Sequence, residues 1–584
     1  MENNLAIANG HRRHSSITAV AAPSPKKLIV CCDGTWANAD NAWVKDKFGG
    51  AGHPVNPTNV TRLARAIQDQ DDGHHQQIVY YQAGVGTGLG VWDKLFGGGT
   101  GAGLSENVRE AYSFLVSNYS DQRDAKVDQP DSIFLVGFSR GAFTARSIGG
   151  FIGAFGILER RAMPFFYEIF QDWEHAGDPK HPPIFFKAWC KKHGGREEDM
   201  PVDDSVHVEG DDDKLRKIGE YLLNYRKFLV ANHLTKAAKI KCIGVWDTVG
   251  SLGIPINPKI RKIFGFLPGY IHEYKWLDTT IDNHVENAFQ ALGLDERRYP
   301  FSPAVWERPK DCTTNLKQCW FAGAHSNIGG SYADQGNADI TLMWMMDQLS
   351  GNTRPKGSQT TELDWIKFDA SYITNYSELQ VADYSRDKAN SRGWAKGTVY
   401  DSLTFPQSLA GFQVRKPGQY KRTSYFTSKE TVPMINTHEY IHASVRYRID
   451  EGANGVESDW SSAFPHGLSL QPYVQWLYRR LFRSTRPYTY LPQTPKGPLE
   501  GWKLEDGHLR HEGTPAGVPA GKQVPAKWVW TSPGEVSEKV LEEDVLGPFE
   551  VALKDLDPVA RNKMQIDGNG VAGRITQGFH PKTI

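Results

Sequence analysis

Long apolar runs are missing from this chain. Stretches such as Ile148 to Leu158 are short and broken by glycine, and none nears the roughly 20 residues that a helix needs to cross a bilayer. The first 26 residues lack the apolar centre of a signal peptide and read as a flexible polar tail. Cysteine is scarce: Cys31, Cys32, Cys190, Cys242, Cys312 and Cys319 are all that 584 residues contain, and no CxxC pair occurs. That excludes a disulfide framework and a thiolate zinc knuckle, and it points to a reducing, cytoplasmic setting. Net charge is also absent, with 67 Lys+Arg against 67 Asp+Glu. No overall field draws the chain onto nucleic acid, and any membrane contact has to be local and peripheral. There is no internal repeat, no heptad array and no EF-hand loop, so neither a solenoid nor that form of calcium site is expected. The glycine-rich stretches Gly84 to Gly90 and Gly97 to Gly103 are not followed by a Walker lysine, which leaves them as hinges or supports rather than nucleotide cradles. No cofactor and no metal set is implied.

What is present is an ordinary globular composition, 39% hydrophobic and 23% charged, with 57 Gly and 17 Trp. Apolar runs end in Gly or Asp at Leu28 to Cys32, Ile78 to Tyr81, Ile133 to Val136, Ile240 to Trp246 and Cys319 to Phe321. Runs of this kind, apolar without alternation, suit strands covered on both faces. Helical patterns lie between them, as in Leu104, Val108, Ala111 and Leu115. The expectation is an α/β fold with a mostly parallel sheet and helices on both faces, spanning residues 27–480. Two long insertions are expected within it, at about 159–238 and 253–314, the second broken by prolines and carrying Ile263, Phe264, Phe266, Leu267 and Trp276 for an apolar lid. Met343, Met345 and Met346 read as helix core. Residues 481–584 read as a small β-rich or partly disordered appendage.

The sharpest chemical signal is Gly137-Phe138-Ser139-Arg140-Gly141, directly after one apolar run and before the helical pattern Ala142 to Ile152. It has the form of a nucleophile elbow: serine at the tip of a strand-to-helix turn, with glycines two residues either side where strand and helix approach closely. In 57-glycine company the pattern alone is weak, and its context carries it. A serine nucleophile needs an imidazole base and an orienting acid, in the order Ser, acid, His for this architecture. Asp247 ends the run Ile240 to Trp246, and His325 follows the run that ends at Phe321. His442, with His438 nearby, is the rival base, and Asp334 a rival acid. Oxyanion donors are expected from the backbone of Arg140 and of Gly34 and Thr35. The latter two belong to Cys31-Cys32-Asp33-Gly34-Thr35, where Cys31 stands in place of the nucleophilic aspartate of a D-x-D-G-T phosphatase, so Asp33 reads as a brace for the loop.

Several of these pieces occur together in one known pattern. Cys32-Asp33-Gly34-Thr35-Trp36, Asn56-Pro57-Thr58-Asn59-Val60, Tyr81-Gln82-Ala83-Gly84, Gly137 to Ala142, Val245-Trp246-Asp247-Thr248, Leu294-Asp295-Glu296-Arg297-Arg298 and Ala324-His325-Ser326-Asn327-Ile328-Gly329-Gly330 resemble the DUF2235 proteins, over roughly residues 27–350. That group includes the catalytic domain of type VI secretion phospholipase effectors. The resemblance implies an α/β-hydrolase-like fold, a serine-centred site at Ser139 and, for the effector branch, hydrolysis of phospholipid acyl esters. Two positions depart from the pattern: Gln290 stands where histidine is frequent, and Asn327 where aspartate is. The expected activity is therefore a serine hydrolase for carboxylic esters, lipid esters first. A hydrolase of soluble esters, thioesters or acyl amides, and a non-catalytic scaffold, are the alternatives.

Overall fold

A computed structural model describes residues 24–34, 43–44, 53–54, 56–84, 101–121, 129–206, 210–249, 280–332, 334–353, 362–369, 372, 393–402, 412–423, 430–457, 489–506, 528–532, 540–567 and 571–575. The lid residues Ile263 to Trp276, the oxyanion candidate Thr35 and nearly all of the N-terminal tail lie outside them. No helix among the described residues is long and apolar enough to cross a membrane.

All five expected strands form, as β1 Lys27–Cys32, β2 Gln77–Gln82, β3 Ser132–Phe138, β4 Ile240–Trp246 and, further along the chain, β6 Asn315–Phe321. Between the last two runs β5 Val285–Gly293, and after them come β7 Glu439–Ile441, β8 Lys503–Asp506, β9 Trp528–Thr531 and β10 Val540–Glu543. Together they make one ten-stranded sheet in the order β8-β9-β10-β7-β6-β5-β4-β3-β1-β2. Every pairing from β2 through β10 is parallel, and the two pairings at the other edge, β10 with β9 and β9 with β8, are antiparallel, so β9 alone is reversed.

Side chains of β1 divide as a doubly covered strand requires. Leu28, Val30 and Cys32 enter one core, with helices α2 Gly101–Asn118 and α3 Arg140–Phe155. Ile29 and Cys31 enter the other, with α1 Asn59–Ala66. The chain steps outward from β1 to β2 through α1, then returns past β1 to β3 through α2. A reversal of this kind marks the carboxyl ends of β1 and β3 as the usual seat of a site in open α/β sheets.

The insertion at 159–238 is helical, with α4 Phe166–Glu174, α5 Phe185–His193 and α6 Asp211–Ala231 adding Phe170, Trp173, Phe185 and Tyr225 to the first core. The second expected insertion, 253–314, is different: its later half contains β5, at the centre of the sheet. That strand shows no continuous apolar run, because it buries polar side chains. Asn287 donates to the Lys241 carbonyl at 2.9 Å, and Gln290 donates to the Ala304 carbonyl and to Gln318, each at 2.9 Å. Residues 481–584 are likewise more than an appendage, since β8, β9 and β10 extend the main sheet. The methionines lie in α8 Gly336–Leu349, packed into the second core as expected; it follows α7 His325–Gly329.

Candidate active site

Ser139 sits between β3 and α3 with φ 59° and ψ −123°, a left-handed conformation rare for a residue with a side chain. The neighbouring strand holds it there, since the Ser139 amide donates to the Trp246 carbonyl at 3.0 Å. Both elbow glycines are sterically required. A Cβ on Gly141 would fall far inside contact distance of the Cys32 and Asp33 carbonyls, and one on Gly137 would collide with the Gly141 carbonyl.

From this turn a line of hydrogen bonds runs inward. Ser139 Oγ lies 2.8 Å from His325 Nε2, and His325 Nδ1 lies 2.6 Å from Asp247 Oδ2. The three come from the ends of β3, β6 and β4, as the strand-end reading expects. Asp247 also has positive φ, 42°, and its Oδ1 accepts the Gly293 amide at 3.0 Å. Ser139 and His325 are buried but retain 6% and 4% exposure, whereas Asp247 has none, so the line is wet only at its serine end. The imidazole is flanked by a tilted Phe138 and an edge-on Phe301, with ring centroids 4.7 and 4.9 Å away.

Charge around the imidazole is balanced by residues the sequence reading did not single out for a role. Arg415 forks onto Asp247, with one nitrogen 2.5 Å from Oδ1 and the other 3.0 Å from Oδ2. Burial pushes the Asp247 carboxyl up, but Arg415 and the His325 bond outweigh it and hold the group below the ordinary carboxylate range. Glu296 accepts the His325 backbone amide at 3.2 Å and is itself gripped by Arg298 and Ser402. Burial would raise Glu296, yet the Arg298 cation brings it to about 2. Burial depresses His325, and the bond and charge of Asp247 only partly oppose it, so the ring takes a proton less readily than a free imidazole. The four consecutive charges Asp295 to Arg298 after a strand are a legible sign of such a network. Arg415 has no comparable sign.

The other candidates are placed elsewhere. His442 follows a sheet strand, but its Nδ1 faces Ser444 Oγ at 2.7 Å and its Nε2 faces Glu550 at 2.8 Å, with no exposure. It caps the helix Ala443–Asp450, and burial lowers its pKa to about 4. Asp334 ties two backbone segments together, accepting from Gly336 N and Thr398 N. Asp33 is the brace expected of it, accepting from Thr58, Thr61, Tyr81 and the Gly34 amide at 2.6–2.8 Å. That last bond turns the Gly34 N–H toward Asp33, so Arg140, the first residue of α3, is the described oxyanion candidate. Gln290 belongs to the buried amide network of β5 and accepts from Thr248 Oγ1 at 2.6 Å. Asn327 uses both ends of its amide, donating to the Thr398 carbonyl at 2.8 Å and accepting from the Tyr400 amide at 3.2 Å, a pairing an aspartate could not complete.

Among the described residues, His175, Asp178 and His181 in the helical insertion hold the one grouping of metal-ligating side chains. Their two rings stack face to face at 4.0 Å and 14°, so the in-plane nitrogen lone pairs run side by side and do not converge on a point.

The model of the type VI secretion (T6SS) phospholipase effector Tle1-like catalytic domain matches residues 26–348, more than half of the chain. The chain belongs to that family. A curated relative, the uncharacterized protein YEL023C of Saccharomyces cerevisiae, is 24% identical over 212 residues, 34% of this chain and 27% of the yeast protein. Among solved structures, the Tle1 effector bound to the VgrG spike of the type 6 secretion system is 19% identical over 54% of this chain and 52% of its own, with a TM-score of 0.25. An uncharacterized protein from Pseudomonas aeruginosa is 15% identical over 56% and 45%, with a TM-score of 0.30. The chain thus spans about a quarter of the yeast relative and about half of these solved chains.

Proposed function

We propose that this chain is a serine hydrolase of carboxylic esters, with phospholipid or other lipid acyl esters as its substrates. The observation that carries this is the hydrogen-bonded line from Ser139 through His325 to Asp247 on a left-handed serine turn. Family membership supplies the substrate class.

In this reading Ser139 Oγ attacks the acyl carbonyl while His325 Nε2 takes its proton. The amide of Arg140, at the positive end of α3, donates to the oxyanion. Collapse of the tetrahedral species expels the alcohol, which receives the proton back from His325. Water then releases the acid from the acyl-enzyme by the same route. Asp247 stays ionised throughout, because Arg415 and His325 hold its proton affinity down.

The test compares fatty-acid release from phosphatidylglycerol vesicles with hydrolysis of soluble p-nitrophenyl butyrate. Faster acyl release from vesicles supports the lipid assignment. Turnover of the soluble ester alone, lost in Ser139→Ala, would move the substrate to soluble esters.

A pH profile follows from the electrostatics. The base works only when neutral, so activity falls as pH drops through the His325 value, which burial sets below the ordinary imidazole pKa of about 6.5. The expected acid limb lies below that of a free imidazole, with the rate level through pH 7 to 8. A midpoint at 7 or above would contradict this.

His442 gives the internal control. His442→Ala removes a helix cap and a partner of buried Glu550, for an expected loss of about 2–3 kcal/mol of stability in urea unfolding. Labelling of Ser139 by a fluorophosphonate, which reports activated serines, is expected to persist in the folded variant. Loss of labelling there would reopen the choice of base.

A further inference from the structure

Resting on the Ser139–His325–Asp247 reading, we propose that Arg415 is a positioning residue of the hydrolysis, and that the site is completed by residues lying beyond the matched family domain. The match ends at residue 348. Arg415, 2% exposed at its side chain, holds both oxygens of Asp247 and also donates to the Gly293 and Phe301 carbonyls, each at 2.7 Å. One guanidinium therefore joins the acid, the end of β5 and the turn that lays Phe301 against the imidazole. Ser402 secures Glu296 at 2.7 Å, and Thr398 secures Asn327, two residues after His325, at 2.8 Å.

The physical role follows from charge. A buried carboxylate beside an imidazole pulls that ring toward its protonated, inactive form. A bidentate guanidinium fixes the carboxylate's plane, occupies its other lone pairs and cancels its charge. The charged groups acting on His325 are Asp247 and Glu296 against Arg298, and Arg415 offsets the Asp247 charge by pairing with it directly. Removing Arg415 leaves an excess of negative charge, so His325 holds its proton to higher pH.

The experiment measures the second-order rate of fluorophosphonate labelling from pH 4.5 to 9 on the full chain, for wild type, Arg415→Gln and Arg415→Lys, with Ser139→Ala as baseline. In Arg415→Gln the acid midpoint is expected to rise by about one unit or more, which cuts the rate roughly tenfold on the acid side of the profile while much of the rate returns at pH 9. Arg415→Lys keeps the charge without the fork, so its midpoint stays near that of wild type and its plateau falls by about tenfold. A folded Arg415→Gln with the wild-type midpoint, or with equal loss at every pH, overturns the proposal. Should that variant fail to fold, Arg415→Lys decides: a wild-type plateau overturns it. Wild type that does not label at any pH overturns the serine reading itself, an outcome distinct from either.

Discussion

Ser139→Ala is expected to abolish fluorophosphonate labelling and to lower ester turnover by about 10⁴-fold or more, with the fold intact. The size of the effect follows from what a single oxygen does here. Ser139 Oγ is the one nucleophile in hydrogen-bond reach of His325 Nε2, at 2.8 Å, among the described residues. Without it the imidazole can at best activate water, and no covalent intermediate forms. The backbone has little reason to move. Alanine at φ 59° carries the same Cβ strain as serine, and the elbow is held by the Ser139 amide bond to Trp246 and by the two glycines, none of which involves the hydroxyl. A matched circular dichroism spectrum with no labelling and residual hydrolysis near background is the expected result. Labelling of the variant at undiminished rate would show that the reactive serine lies elsewhere and would remove the chemical basis of the proposed function.

The three residues of this line were legible because each follows directly on an apolar run, and such a run in an α/β chain ends at the site-bearing edge of the sheet. The same rule failed in two instructive ways. His442 also follows a sheet strand, yet its ring turns back to Ser444 and Glu550, because that strand lies two places beyond β5 and its helix needs a cap. β5 itself is central, yet its sequence reads as part of an insertion, since Asn287 and Gln290 interrupt its apolar pattern and are satisfied only by neighbours that folding brings in. Arg415 is the limiting case. Its contact with Asp247 spans 168 positions and comes from a stretch with no strand or helix period, so nothing local marks it. A cation's partner is a property of the tertiary fold, whereas a nucleophile elbow is a property of five consecutive residues.

That locality makes a second large effect predictable, this time on the fold. Gly141→Ala is expected to destabilise the protein by about 3–5 kcal/mol and to impair labelling of whatever folds. In a solvent-facing helix the same change would stabilise slightly, since alanine has the higher helical propensity. Here the added methyl is driven into the carbonyl oxygens of Cys32 and Asp33, both backbone atoms at the end of β1. Neither can rotate away. Relief requires α3 to lift off β1, and because Ser139 is the residue that caps α3, the lift carries Oγ away from His325. Gly149→Ala, in the same helix, separates this cause from a general intolerance. Its Cβ would meet Ile243 Cδ1 at 2.8 Å, the free end of a side chain that can change rotamer, so a loss of about 1 kcal/mol or less is expected. Urea unfolding of the pair, with labelling rates measured alongside, reads both effects. Equal midpoints for the two variants would mean that the close approach of α3 to β1 does not hold the serine turn in place.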